Sequence, residues 1–133
     1  MFVIITVIIG ILFTATLIKK PTTFSQEEQI APHYVAYSQE TLMKAKQNGN
    51  TVLFFAATTW CTTCSELDKE LRQRSNALPD NVTVLQIDYD NDRQTKTAYN
   101  VTTQHTMIRL DSRGNEVKRW IGGGFDTLVQ QIN

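Results

Sequence analysis

From Thr51 to Cys64 the chain reads TVLFFAATTWCTTC. Val52, Leu53, Phe54 and Phe55 form an unbroken apolar run with β-branched and aromatic members, the composition of a strand buried on both faces of a parallel sheet. Beyond Cys64 the period changes. Leu67 and Leu71 stand four apart with Asp68, Lys69 and Glu70 between them and Glu66 just before, which predicts an amphipathic helix. Trp60-Cys61-Thr62-Thr63-Cys64 therefore lies where a buried strand ends and a helix begins.

That placement carries chemistry. A helix N-terminus presents unpaired N–H groups and the positive end of a dipole, and both stabilise an anion. A thiolate held there has a lowered pKa and is the nucleophile of thiol–disulfide exchange. The i, i+3 spacing brings Cys64 one turn behind Cys61, within reach of a disulfide. Cys61 is expected to be the exposed attacking thiol and Cys64 the buried resolving one, with Trp60 covering the outer edge of the site.

A strand, a Trp-Cys-x-x-Cys and a helix in this order resemble the thioredoxin superfamily, and the resemblance runs from about Tyr34 to Ile132. Cys-x-x-Cys alone also occurs as a structural pair or as half of a zinc site; the preceding Trp and the βαβ setting favour the redox reading. The resemblance implies a thioredoxin-like α/β fold, a central mixed sheet flanked by helices in the order βαβαβαββα. Along the chain this places a strand from Tyr34 to Tyr37 and a helix capped by Ser38 to about Gln47. The motif helix then runs to about Ser75. A strand through Val82, Val84 and Ile87 follows, then a helix from about Asp92 to Tyr99 and a strand from Met107 to Leu110. The turn at Asp111-Ser112-Arg113-Gly114-Asn115 makes the strand from Glu116 to Ile121 antiparallel to it. A last helix from Asp126 to Ile132 closes the chain.

The chain has 133 residues, 13 basic and 13 acidic, with no basic block or stripe, which argues against a nucleic-acid partner. Its two cysteines are those of the motif, so there is no disulfide framework and no third thiol to resolve a mixed disulfide. From Phe2 to Ile18 the sequence is almost wholly apolar and ends at Lys19-Lys20-Pro21. Seventeen helical residues reach about 25 Å, near the lower limit for crossing a bilayer. An uncleaved anchor and a removed signal peptide both fit. The anchor is favoured because Thr14-Ala15-Thr16 is a poor cleavage site. Residues 1–20 are thus read as anchor or signal segment, 21–33 as a polar tether and 34–133 as the domain. Lys19 and Lys20 alone would put the domain in the cytoplasm by the positive-inside rule. The resemblance to membrane-tethered bacterial proteins implies the outer face of the cytoplasmic membrane instead.

Three positions depart from the family pattern. Tyr99-Asn100-Val101-Thr102-Thr103-Gln104-His105-Thr106 aligns with the segment that carries a cis-proline facing the sulfurs, and His105 takes the proline's place. A cis bond before a non-proline residue costs about 2.5–4 kcal/mol, so a trans bond is expected here. The resemblance implies that Gln104 holds extended substrate through its backbone, and it brings His105 near the sulfurs. There an imidazole could partner Cys61 or bind a metal, or be only a tolerated loop residue. Phe55 stands where thioredoxins carry a buried Asp six residues before the first cysteine. Val84 and Gln86 stand where its Lys partner would be, leaving water, Glu66 or His105 to deprotonate Cys64. Thr62-Thr63 replaces Gly-Pro, adding hydroxyls but no charge, and so gives no sign of oxidant or reductant.

The leading functional reading is thiol–disulfide exchange, with protein disulfides or dithiols as substrates, a redox partner protein and no cofactor. A metal-binding or metal-delivery module using Cys61, Cys64 and His105 is the alternative. A redox-inert scaffold ranks third.

Overall fold

Strand β3 (Asn50–Ala56), the run that precedes the cysteines, lies inside a mixed sheet that has six strands among the described residues. The computed structural model describes residues 23–133. On one side β3 pairs in parallel with β4 (Val82–Asp88), Val52 opposite Val84 and Phe54 opposite Gln86. On the other it pairs antiparallel with β5 (Thr106–Leu110). The sheet continues to β6 (Glu116–Ile121), antiparallel to β5, as the sequence predicts. Beyond β4 it continues to β2 (Tyr34–Ala36) and β1 (Gln29–Ala31).

The apolar run in β3 follows from cover on both faces. Successive side chains alternate across a strand. Val52, Phe54 and Ala56 enter one core with Leu67 and Leu71 of α2 (Thr62–Arg74) and Phe125, Leu128 and Ile132 of α4 (Phe125–Ile132). Leu53 and Phe55 enter the other with Leu42 and Ala45 of α1 (Gln39–Asn48) and with Val101, which follows α3 (Arg93–Ala98). At the edge, Glu116, Val117, Lys118 and Arg119 of β6 are exposed, and charge there discourages pairing with another chain.

Two elements differ from the sequence reading. β1 falls within the stretch read as a tether, so the element order among the described residues is ββαβαβαββα. Three residues carry no readable period, and packing fixes them: Ile30 and Ala31 lie against the core under α2. α3 is also shorter than expected, because Asp92 is its cap, accepting from the Thr95 N–H, and Tyr99 closes it. The apolar segment from Phe2 to Ile18 lies outside the described residues. Among those described, no helix is long and apolar enough to cross a membrane.

One polar cluster fastens α2 to the sheet. Tyr34 Oη on β2 and Gln86 Nε2 on β4 each donate to Asp68 Oδ1 at 2.8 Å, and Arg72 Nε donates to Oδ2 at 2.9 Å. Burial, and next the Asp68 charge, push the Tyr34 hydroxyl pKa far up, so it stays a donor. Asp68→Ala strands two donors at the sheet and is expected to cost about 2–4 kcal/mol in urea unfolding. A loss under about 0.5 kcal/mol would make the cluster incidental.

Candidate active site

The turn after β3 is closed by the Cys61 and Trp60 N–H groups, which donate to the Ala57 carbonyl at 2.9 and 3.4 Å. Ser65 Oγ ties the first turn of α2 back to the Thr58 carbonyl at 2.7 Å. Cys61 is the N-cap of α2, in extended backbone (φ −89°, ψ 103°), and its sulfur accepts from the Cys64 N–H at 3.3 Å. The cap role that usually falls to an oxygen falls here to the sulfur. Cys61 and Cys64 form a disulfide with Cα atoms 5.3 Å apart.

Cys64 is fully buried and Cys61 is 7% exposed. The expected order of accessibility holds, but Cys61 is a recessed sulfur rather than an exposed one. Trp60 is 56% exposed beside it. Its indole N–H reaches both carboxylate oxygens of Asp90 at 3.0 Å, and its ring meets Tyr89 edge-on at 6.5 Å. Nothing in sequence spacing pairs Trp60 with Asp90, thirty residues away, so that partner was not foreseen.

His105 lies across from the disulfide. All peptide bonds among the described residues are trans, including the one before His105. Its backbone is left-handed, φ 58°. Proline is locked near −65°, so His105 does not occupy a proline's conformation. Histidine is among the residues enriched in this region. The backbone is pinned on both sides, the His105 N–H donating to Phe55 O at 2.8 Å and the Gly122 N–H donating to His105 O at 3.0 Å. The ring is 2% exposed and sits 5.5 Å from the Phe54 ring, centroid to centroid. Its Nδ1 is hydrogen-bonded to Thr63 Oγ1 at 2.9 Å, and the same oxygen lies 3.5 Å from Cys61 Sγ. Nε2 is buried without a hydrogen-bond partner. Burial lowers the His105 pKa, and the Gly123 backbone opposes this more weakly without completing a bond to Nε2.

The other predicted positions separate. Thr63 reaches the site through its hydroxyl, whereas Thr62 and Glu66 face solvent and Gln104 is half-buried in the turn before His105. Phe55 is not beneath the cysteines. It belongs to the opposite core, edge-on to Tyr99, and Phe54 occupies the cysteine face. The inference that no carboxylate sits on that strand below Cys64 survives, with a different phenylalanine as its basis. Gln86 lies opposite Phe54 and spends its amide on Asp68. An open cleft of about 550 Å³ runs from Thr63, Glu66 and Glu70 to Gly123 and Gly124.

A Cys-x-x-Cys disulfide at a strand–helix junction, on a mixed sheet with helices on both faces, defines the thiol–disulfide oxidoreductase class in general terms. The thioredoxin family model matches residues 29–133, and the chain belongs to that family. The thioredoxin H-type of Fagopyrum esculentum is 25% identical over 107 residues, covering 80% of this chain and 90% of that protein. The structure of thioredoxin NaTrxh from Nicotiana alata is similar at TM-score 0.63 and 27% identity, covering 77% of this chain and 91% of that one. Fasciola hepatica thioredoxin is similar at TM-score 0.58 and 26% identity, covering 70% and 86%.

Proposed function

We propose that this chain exchanges disulfides with protein substrates through its Cys-Thr-Thr-Cys site. The observation that carries the reading is the disulfide between a helix-capping Cys61 and a fully buried Cys64. In the reducing direction, the Cys61 thiolate attacks one sulfur of a substrate disulfide. The other substrate sulfur leaves as a thiolate, and a mixed disulfide forms. The Cys64 thiolate then attacks Cys61 Sγ, the second substrate thiolate departs, and the Cys61–Cys64 disulfide closes. Two electrons pass from the dithiol to the substrate, and the reverse sequence oxidises a substrate dithiol.

Several groups support the step. The capping geometry aims the Cys64 N–H at Cys61 Sγ, and Thr63 Oγ1 lies near the same sulfur. Both can donate to a thiolate as it forms. Trp60 and the backbone at Gln104, next in sequence to Cys61 and to His105, would hold extended substrate. The reduced protein is expected to accelerate insulin reduction by dithiothreitol, read as turbidity. No acceleration over dithiothreitol alone would overturn the reading.

The segment from Phe2 to Ile18 fits a single-pass anchor that holds the domain at the outer face of the cytoplasmic membrane, where a redox partner protein would reset the cysteines. The almost wholly apolar, uncharged run supports this. Protease treatment of intact spheroplasts should then remove the domain; full protection would place it inside.

A further inference from the structure

We infer that the reduced site is also a metal centre, in which Cys61, Cys64 and His105 bind one thiophilic cation of the Zn²⁺ type. The inference rests on the dithiol of the proposed exchange reaction but not on exchange itself. Both sulfurs and a ring nitrogen of His105 lie within 4.8 Å of one another, and all three residues are buried. Around a tetrahedral zinc ion, with bonds of about 2.3 Å to sulfur and about 2.0 Å to nitrogen, ligand atoms stand roughly 3.5–4 Å apart. The 4.8 Å bound lies within about 1 Å of that spacing, and reduction frees the two bonded sulfurs to move apart to it.

The imidazole is the second and independent sign. A buried histidine normally satisfies both ring nitrogens. His105 satisfies one, through Thr63, and leaves Nε2 with no partner although the residue is 2% exposed. The hydrogen bond to Thr63 fixes the ring plane, which is the service that outer partners give to metal-bound histidines. The two backbone bonds to Phe55 and Gly122 fix the residue itself. The site is therefore assembled before any ion arrives, and none of its three ligands belongs to a mobile surface side chain. Three protein ligands leave a fourth position open for water or for a donor from another molecule.

Binding and exchange draw on the same electrons. The disulfide takes up two electrons and two protons to give two thiols. The cation then displaces up to two protons as the thiolates ligate. The disulfide form offers no thiolate, so it holds no ion, and the ion in turn blocks attack by Cys61. The site is thus a redox-gated metal site in which cation and substrate disulfide compete.

The test titrates full-length protein, reduced with a phosphine and handled anaerobically, with Zn²⁺ alone against a chromophoric chelator. One Zn²⁺ per chain is expected for the reduced protein and none for the diamide-oxidised protein. Cys61→Ser should abolish stoichiometric binding. His105→Asn tolerates the left-handed backbone and should weaken binding at least tenfold, with an unchanged far-ultraviolet circular dichroism spectrum as the folding control. Substoichiometric Zn²⁺ on reduced protein, or His105→Asn binding as tightly as the parent, would overturn the inference. Insulin reduction by the metal-free protein separates the two readings. Zinc binding without reductase activity sinks the exchange function alone, and reductase activity without zinc binding sinks the metal site alone.

Discussion

Cys61→Ser is expected to reduce disulfide-exchange turnover to background, a fall of at least roughly a hundredfold, because a hydroxyl is not ionised where a thiolate is. Cys64→Ser should also lose turnover, but by a different route. Its Cys61 can still attack, and nothing then releases the substrate, so a covalent complex accumulates at one substrate per chain. Intact mass spectrometry before and after dithiothreitol reads this directly. The asymmetry follows from burial: Cys64 is sealed in the core, and Cys61 keeps 7% of its surface at the open side. If Cys61→Ser traps substrate and Cys64→Ser does not, the two roles are exchanged. If neither traps, the two-step mechanism fails.

The second large effect concerns His105. Introducing the proline that the family pattern would put there, His105→Pro, is expected to destabilise the protein by about 3–5 kcal/mol. The ring of proline cannot reach φ 58°, and the substitution deletes the N–H that donates to the Phe55 carbonyl at 2.8 Å. His105→Asn keeps both the backbone conformation and the N–H and should cost only about 1–2 kcal/mol, chiefly from lost packing against Phe54. Urea unfolding of the two variants beside the parent measures the difference. Equal stability of His105→Pro and the parent would show that the loop rebuilds around proline, and that the left-handed backbone is not what the fold requires.

These two expectations show what could be read from the sequence and what could not. The junction was legible because periodicity changes abruptly there, from an unbroken apolar run to Leu67 and Leu71 four apart. The antiparallel end strand was legible from its turn. β1 was not, since three residues carry no period and Ile30 finds its place only by packing. The face of the sheet on which Phe55 lies had no signal in the sequence, and the structure puts it in the core opposite the cysteines. Counting six residues back from Cys61 gives a position along the chain, while the pleat decides which core receives the side chain. The position of His105 near the sulfurs was predicted from alignment with the family segment. Its left-handed backbone, its bond to Thr63 forty-two residues away and its unsatisfied Nε2 are tertiary facts with no local signature. The same holds for the Asp68 cluster, whose members come from two strands and a helix.

The position of β3 in the sheet has a consequence for biosynthesis. Both hydrogen-bonding neighbours of this strand, β4 and β5, come later in the chain. As the polypeptide leaves the ribosome, the strand that presents the cysteines has no sheet partner until Asp88 has been made, and it lacks its second until Leu110 has followed. The two thiols therefore emerge early and wait without shelter, the interval in which a nascent chain is most open to wrong cross-links. With two cysteines in 133 residues, only one internal pairing exists, and it is the native one. A chain that must expose its reactive pair first is protected by having no other thiol of its own to join.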